Sequence, residues 1–342
     1  MALRSALRTG IAALALGAGG VAAGQADDLT RLPPVPTDYR PARTPWGEPD
    51  LRGNWPIDHL NGRTPLERPV EMGNRALMTQ EEFAAQQARV AALELRYKNE
   101  DESNSMGIGH WAEMGQASRR TSFIVSPADG RLPPMTAEGQ RQSALMRSTW
   151  RQGQTFDWVT DFDSWDRCIT RGLPASMFPF MYNNGISIFQ SPGVVAIQLE
   201  MVHEVRIVPT DGRPALPAQI GQWMGESRGH WEGGNVLVVE TTNFRPGPSA
   251  TNIGTTGSPP QNNTPVSASA RMTERFTMTG PDSVVYEMTM DDPVIFTAPW
   301  SARLDWKRDQ AYGMFEYACH EGNVQVRNYI TSSRAERAAK GE

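Results

Sequence analysis

The chain has 342 residues, with 33 Lys and Arg against 38 Asp and Glu, a formal net charge of −5. No basic run lies beyond the first residues, which excludes nucleic acid and anionic membrane surfaces as natural partners. Two cysteines, ten Trp and sixteen Met complete a composition that suits packing against apolar or aromatic ligands as well as ordinary core filling.

Residues 1–26 read as a signal peptide. Arg4 and Arg8 precede the apolar stretch GIAALALGAGGVAAG (10–24), which is too short to span a bilayer. Cleavage is expected after Gly24 or Ala26. No later stretch resembles a membrane span. These features predict an exported, periplasmic protein, with oligomerisation left open. Residues 27–333 read as one β-rich domain. Its parts are an extended Pro-rich arm over 27–78, a helical segment over 79–150 and a barrel over 151–333.

Thr79 and Glu82 form a capping box ahead of a helix over 81–97, with Phe83, Val90, Leu93 and Tyr97 on one side. A polar loop is expected over 98–111, a short strand over 121–127, and a weaker helix over 137–148 after Thr136. From residue 186 the period changes to two. Residues 186–209 read as a hairpin. Further strands are expected over 230–244, 270–292, 301–309 and 311–321, separated by Gly233–Gly234, by Gly280–Asp282 and by the Asp309–Gly313 region. Residues 244–267 read as a Gly/Pro/Asn flap, and 334–342 as a frayed tail. Sequential antiparallel strands predict an up-and-down or lipocalin-like barrel, with a sandwich as the alternative.

In an oxidising compartment Cys168 and Cys319 read most simply as a disulfide. Buried free thiols, or a metal site shared by Cys319 and His320, are the alternatives. Strand 195–208 is the richest in candidate chemistry. Val195, Ile197, Leu199, Met201, His203, Val205 and Ile207 lie on one face, and Gln198, Glu200, Glu204 and Arg206 on the other. A bulge at Val202 would bring Glu200 and His203 to one side as an acid/base pair. The candidate catalytic residues are therefore His203 as general base, Glu200 as its partner, and Arg206 or Arg228 as electrostatic stabiliser. His320 with Tyr317 forms a second pair. Arg171, Trp231, Trp300 and Tyr182 are the candidate substrate-binding residues. GESRG (225–229) matches the serine-elbow pattern, with Asp291 and His320 in hydrolase order, but no strand-to-helix turn surrounds Ser227. Asp161, Asp163 and Asp166 have a loose calcium-loop spacing without its glycine or distal glutamate. No metal site and no cofactor are expected.

The motifs TPLERP (64–69), DGRLPP (129–134), RCITRGLP (167–174), PTDGRP (209–214), GESRGHWEG (225–233), LVVETTNF (237–244) and YACHEGN (317–323) together resemble a family of exported bacterial hypothetical proteins. The resemblance spans residues 45–333 and carries over no catalytic residue. It departs at Ala215, where members often have His, and at His230, where members often have Arg. The functional expectation is a periplasmic, cofactor-independent enzyme that acts by acid/base chemistry on a small aromatic, lignin-type phenolic molecule. A lyase or isomerase is the class expected. The competing expectation is a lipocalin-like carrier of an apolar ligand with no turnover.

Overall fold

A computed structural model describes residues 28–104, 107–110, 112–149, 153–247 and 264–341. The expected signal peptide and the span 248–263 of the expected flap lie outside these residues.

The first helix, α1 (Gln80–Glu102), begins where the capping box places it. Glu82 N donates to Thr79 Oγ1 at 3.2 Å and Thr79 N donates to Glu82 Oε2 at 2.8 Å. The helix runs into the expected polar loop. The second, α2 (Ala137–Leu145), starts at Thr136, whose hydroxyl accepts from Gly139 N at 3.0 Å.

The strands form two open antiparallel sheets. Strands β1 (Gly53–Asn54), β3 (Ile186–Ser191), β4 (Val194–Leu199) and β5 (Val205–Pro209) make the first, in the order β1-β3-β4-β5. The second contains β2 (Ile124–Ser126), β6 (Glu226–Glu232), β7 (Val236–Thr242), β8 (Arg271–Gly280), β9 (Ser283–Asp291) and β10 (Trp300–Lys307). Its order is β2-β10-β9-β8-β7-β6. No closed barrel forms among the described strands, so the architecture is the coarser mainly-β, two-sheet arrangement. The edges that would close it, β5 and β6, lie side by side but share no backbone ladder. They touch at Gly229, where a Cβ would sit 2.9 Å from Val208 Cγ1. Beyond that point they leave a groove.

One core joins the two sheets. Ile188, Ile197 and Val208 from the first pack in the same cluster as Leu237, Phe276, Tyr286 and Trp306 from the second. The interior is filled by aromatic stacking: Tyr286 and Trp306 lie 4.9 Å apart at 20°, with Phe276 against both. The arm crosses the outer face of the second sheet, where Arg303 Nη1 donates to Pro33 O at 2.7 Å.

Three sequence expectations are corrected. Segment 195–208 is not one strand. Val202 and His203 have φ of 62° and 46°, and this left-handed turn breaks the strand into β4 and β5. The break reverses the side-chain parity, so Arg206 and Val208 join Val195 and Ile197 on the buried face while Val205 and Ile207 turn outward. Segment 311–321 is irregular chain with turns at its two ends, because its backbone donors serve side chains and nearby carbonyls rather than a ladder. Phe315 N donates to Glu200 Oε1 at 2.7 Å and Ala311 N to Asp309 Oδ1 at 2.9 Å. The tail is not frayed from 334 but belongs to helix α3 (Gln325–Lys340), which has no buried residue. It is held by the Tyr329 ring, 5.3 Å from Phe156, and by Arg337 on Asp157.

Candidate functional site

The groove between the free edges of β5 and β6 has a volume of about 820 Å3. Glu204 and Arg206 line it from one side and Glu226, Ser227 and Arg228 from the other, with Trp223 and Met224 between. The motif RCITRG braces it from outside. The Arg167 guanidinium lies 5.6 Å from the Trp223 ring, and the Arg245 guanidinium also faces that ring, at 4.5 Å. Such contacts hold an indole in place while leaving its edges usable. The Thr170 hydroxyl donates to Glu204 Oε2 at 2.5 Å.

Glu204 is the titratable group best placed for chemistry. Burial raises its pKa above the ordinary carboxylate value, opposed by the Thr170 hydroxyl and the charge of Arg206. Arg228 ion-pairs through Nη2 with Glu226, whose oxygens also accept from Leu216 N at 2.8 and 2.9 Å. The Nε and Nη1 of Arg228 are buried without an acceptor among the described residues. Ser227 Oγ is bonded to Arg206 Nη2 at 3.2 Å and Thr241 Oγ1 at 2.9 Å. It lies within β6 and has no histidine partner among the described residues, so the nucleophile arrangement does not form there.

The six residues expected to be catalytic divide into three places. Arg206 and Arg228 line the groove, although Arg206 is bound in the core by Glu274 at 2.9 and 2.5 Å. Glu200 is 1% exposed and works as an anchor. It accepts from Gly185 N (2.8 Å), Phe315 N (2.7 Å), Tyr312 OH (2.8 Å) and Asn183 Nδ2 (3.2 Å). With its lone pairs so engaged, the carboxylate makes no bond to His203, whose backbone N donates instead to Glu200 O at 3.0 Å. That histidine is exposed, bonds the Tyr317 carbonyl through Nδ1 at 2.9 Å, and meets the exposed His320 ring edge-on at 5.8 Å.

His203, His320 and Tyr317 gather instead at the Cys168–Cys319 disulfide, which closes a 151-residue separation. A 300 Å3 pocket there is lined by Trp165, Tyr182 and Tyr317, with the two phenol rings stacked 6.2 Å apart. Arg171 is buried behind them, 4.6 Å from the Phe180 ring and 5.2 Å from Trp165. Burial pulls its pKa down to about 10 and pushes that of Tyr182 up. Two of the four expected substrate-binding residues, Arg171 and Tyr182, are thus brought together here. The other two are elsewhere: Trp300 is a fully buried core residue and Trp231 packs half-buried on β6.

Among the described residues no group of three or more His, Cys, Asp or Glu side chains converges as metal ligands. In the aspartate segment, Asp161 Oδ2 accepts from Asp157 N at 2.7 Å and Asp166 Oδ1 accepts from Thr149 Oγ1 at 2.6 Å. Sequence reasoning passed over Thr170, Trp223 and Glu204 as site residues. Two weak signals existed, Thr170 within RCITRG and Trp223 two residues before GESRG.

No protein-family model, curated protein or solved structure matches this chain. The geometry of the groove therefore carries the functional argument alone. No helix among the described residues is long and apolar enough to cross a membrane.

Proposed function

We propose that the protein is an exported, periplasmic enzyme that transforms a small aromatic molecule by acid/base chemistry in the β5–β6 groove, as a lyase or isomerase. The observation that carries this reading is Glu204. It is a carboxylate raised by burial that faces the same groove as Trp223 and Arg228. A carboxyl group with a raised pKa holds its proton closer to neutral pH and transfers it more effectively there. Trp223 offers a ring edge, and the positive charge of Arg228 in the groove lining suits a phenolate or carboxylate on the ligand. A carrier of an apolar ligand would carry ionisable groups only at its rim, whereas Arg206 lies at the buried side of this groove.

The carrier reading keeps one observation in its favour: none of the five histidines lines the groove. The two are separated by incubating the purified protein with a panel of aromatic dimers and terpenoids and following products by mass spectrometry. The expected result is turnover that falls on the order of 100-fold in Glu204→Gln with binding retained. It should also decline as pH rises through the Glu204 pKa, where the acid form is lost. Saturable binding without any product would leave the carrier. Turnover untouched by Glu204→Gln but lost in His203→Ala would move the site to the disulfide pocket.

A further inference from the structure

We propose that a second pocket, beneath the N-terminal arm, binds a small organic carboxylate with an apolar body. It has a volume of about 610 Å3 and lies between arm residues Thr30, Arg31 and Leu32 and the outer face of the second sheet. The arm is fixed there by backbone bonding, Leu77 N donating to Leu29 O at 3.0 Å. Ala76, Ile124 and Val125 supply apolar wall, and Arg31, Arg68 and Arg303 face one carboxylate, Glu287.

The arginines are unusual in their partners. Arg68 is only 4% exposed, yet it forms no ion pair within 4.0 Å among the described residues. Its Nε donates to Thr121 Oγ1 at 3.0 Å and its Nη1 to Ala128 O at 2.7 Å, both neutral acceptors. Burial pulls its pKa below the ordinary arginine value, with Asp129 opposing and Arg131 adding to the fall. Arg303 Nε is buried without a hydrogen-bond acceptor, 3.6 Å from Asp305 Oδ1. Behind it Arg120, nine-tenths buried, shares that same aspartate at 3.6 Å, and its own Nε has no acceptor.

Around the pocket five arginines (31, 68, 120, 131 and 303) therefore face four carboxylates (Asp28, Asp129, Glu287 and Asp305). Buried positive charge without a matching anion is unfavourable, and an anionic ligand offsets it. Guanidinium forks match a carboxylate, Glu287 disfavours a dianion, and the apolar wall suits a hydrocarbon body. The site also accounts for two motifs that the groove does not use. Arg68 belongs to TPLERP and Gly130 to DGRLPP. Gly130 has φ +71° and sits so close to the guanidinium that a Cβ would lie 2.8 Å from Arg68 Cζ.

Isothermal titration calorimetry of the full protein with octanoate tests this, with octanol as the neutral control and inorganic phosphate as the competing anion. Octanoate should bind saturably and octanol should not. Affinity should fall roughly tenfold in Arg303→Gln, which loses one charge-assisted donor. It should rise in Glu287→Gln and stay unchanged in Arg228→Gln, which alters only the β5–β6 groove. Far-UV circular dichroism without ligand should match wild type in the Arg303 and Glu287 variants, showing that both fold, although Arg303→Gln loses the bond to Pro33 O. Absence of octanoate binding, equal affinity in Arg303→Gln, loss of binding in Arg228→Gln, or binding of phosphate alone would each overturn the proposal.

Discussion

Arg206 on β5 and Glu274 on β8 meet in full burial between the two sheets, joined by bonds of 2.9 and 2.5 Å with side chains 2% and 0% exposed. Tyr286 OH adds a third bond, to Glu274 Oε1 at 2.9 Å, and Ser227 Oγ accepts from Arg206 at 3.2 Å. The pair ties the strand that edges the groove to the middle of the opposite sheet. It sets the position of Glu204, two residues away.

Removing one partner leaves the other charge buried and unmatched. Glu274→Gln or Arg206→Met should each destabilise the protein by about 3–5 kcal/mol. The double variant Arg206→Met/Glu274→Leu should recover most of that loss, because two apolar groups need no desolvated charge. Urea unfolding of the three variants checks this; a double variant no better than the singles would contradict it.

The Cys168–Cys319 bridge closes a loop of 151 residues. In the chain-entropy model such a loop contributes up to about 5 kcal/mol, by restricting the unfolded chain. The Cys168→Ser/Cys319→Ser variant should lose a large part of that in denaturant titration. It should also expose segment 311–323 to protease before the sheets, since Cys319 lies in a run of turns rather than in a ladder.

Asp163 is raised to about 7, first by burial and second by the charge of Asp166, with hydrogen bonds from Asp166 N, Ser148 and Trp165 N opposing. A carboxyl raised in the folded state favours folding fully below its unfolded pKa and loses that contribution as pH rises through the folded value. Stability should therefore decline between about pH 4 and pH 7, by at most about 4 kcal/mol from this group. Asp163→Asn, which keeps an acceptor for Asp166 N (2.7 Å), should flatten the decline. Thermal unfolding at pH 5 and pH 8 reads the difference.

The sequence by itself determined what neighbours in the chain decide. Thr79 and Glu82 start α1 because the two groups bond each other across one turn. The alternating runs of β8, β9 and β10 and the Gly233–Gly234 turn mark strands because period two and a left-handed turn are local properties. The two cysteines pair as an oxidising compartment leads one to expect. Tertiary structure alone decided the rest. A left-handed break at Val202 and His203 reversed the faces of the richest strand, so Arg206 went inward and His203 outward. Helix α3 has too few apolar residues to announce itself and is stabilised by Phe156 and Asp157, far away in the chain. The groove exists because β5 and β6 are left as unpaired edges. Which edges stay unpaired follows from contacts such as Arg206 with Glu274, 68 residues apart, that no local pattern encodes.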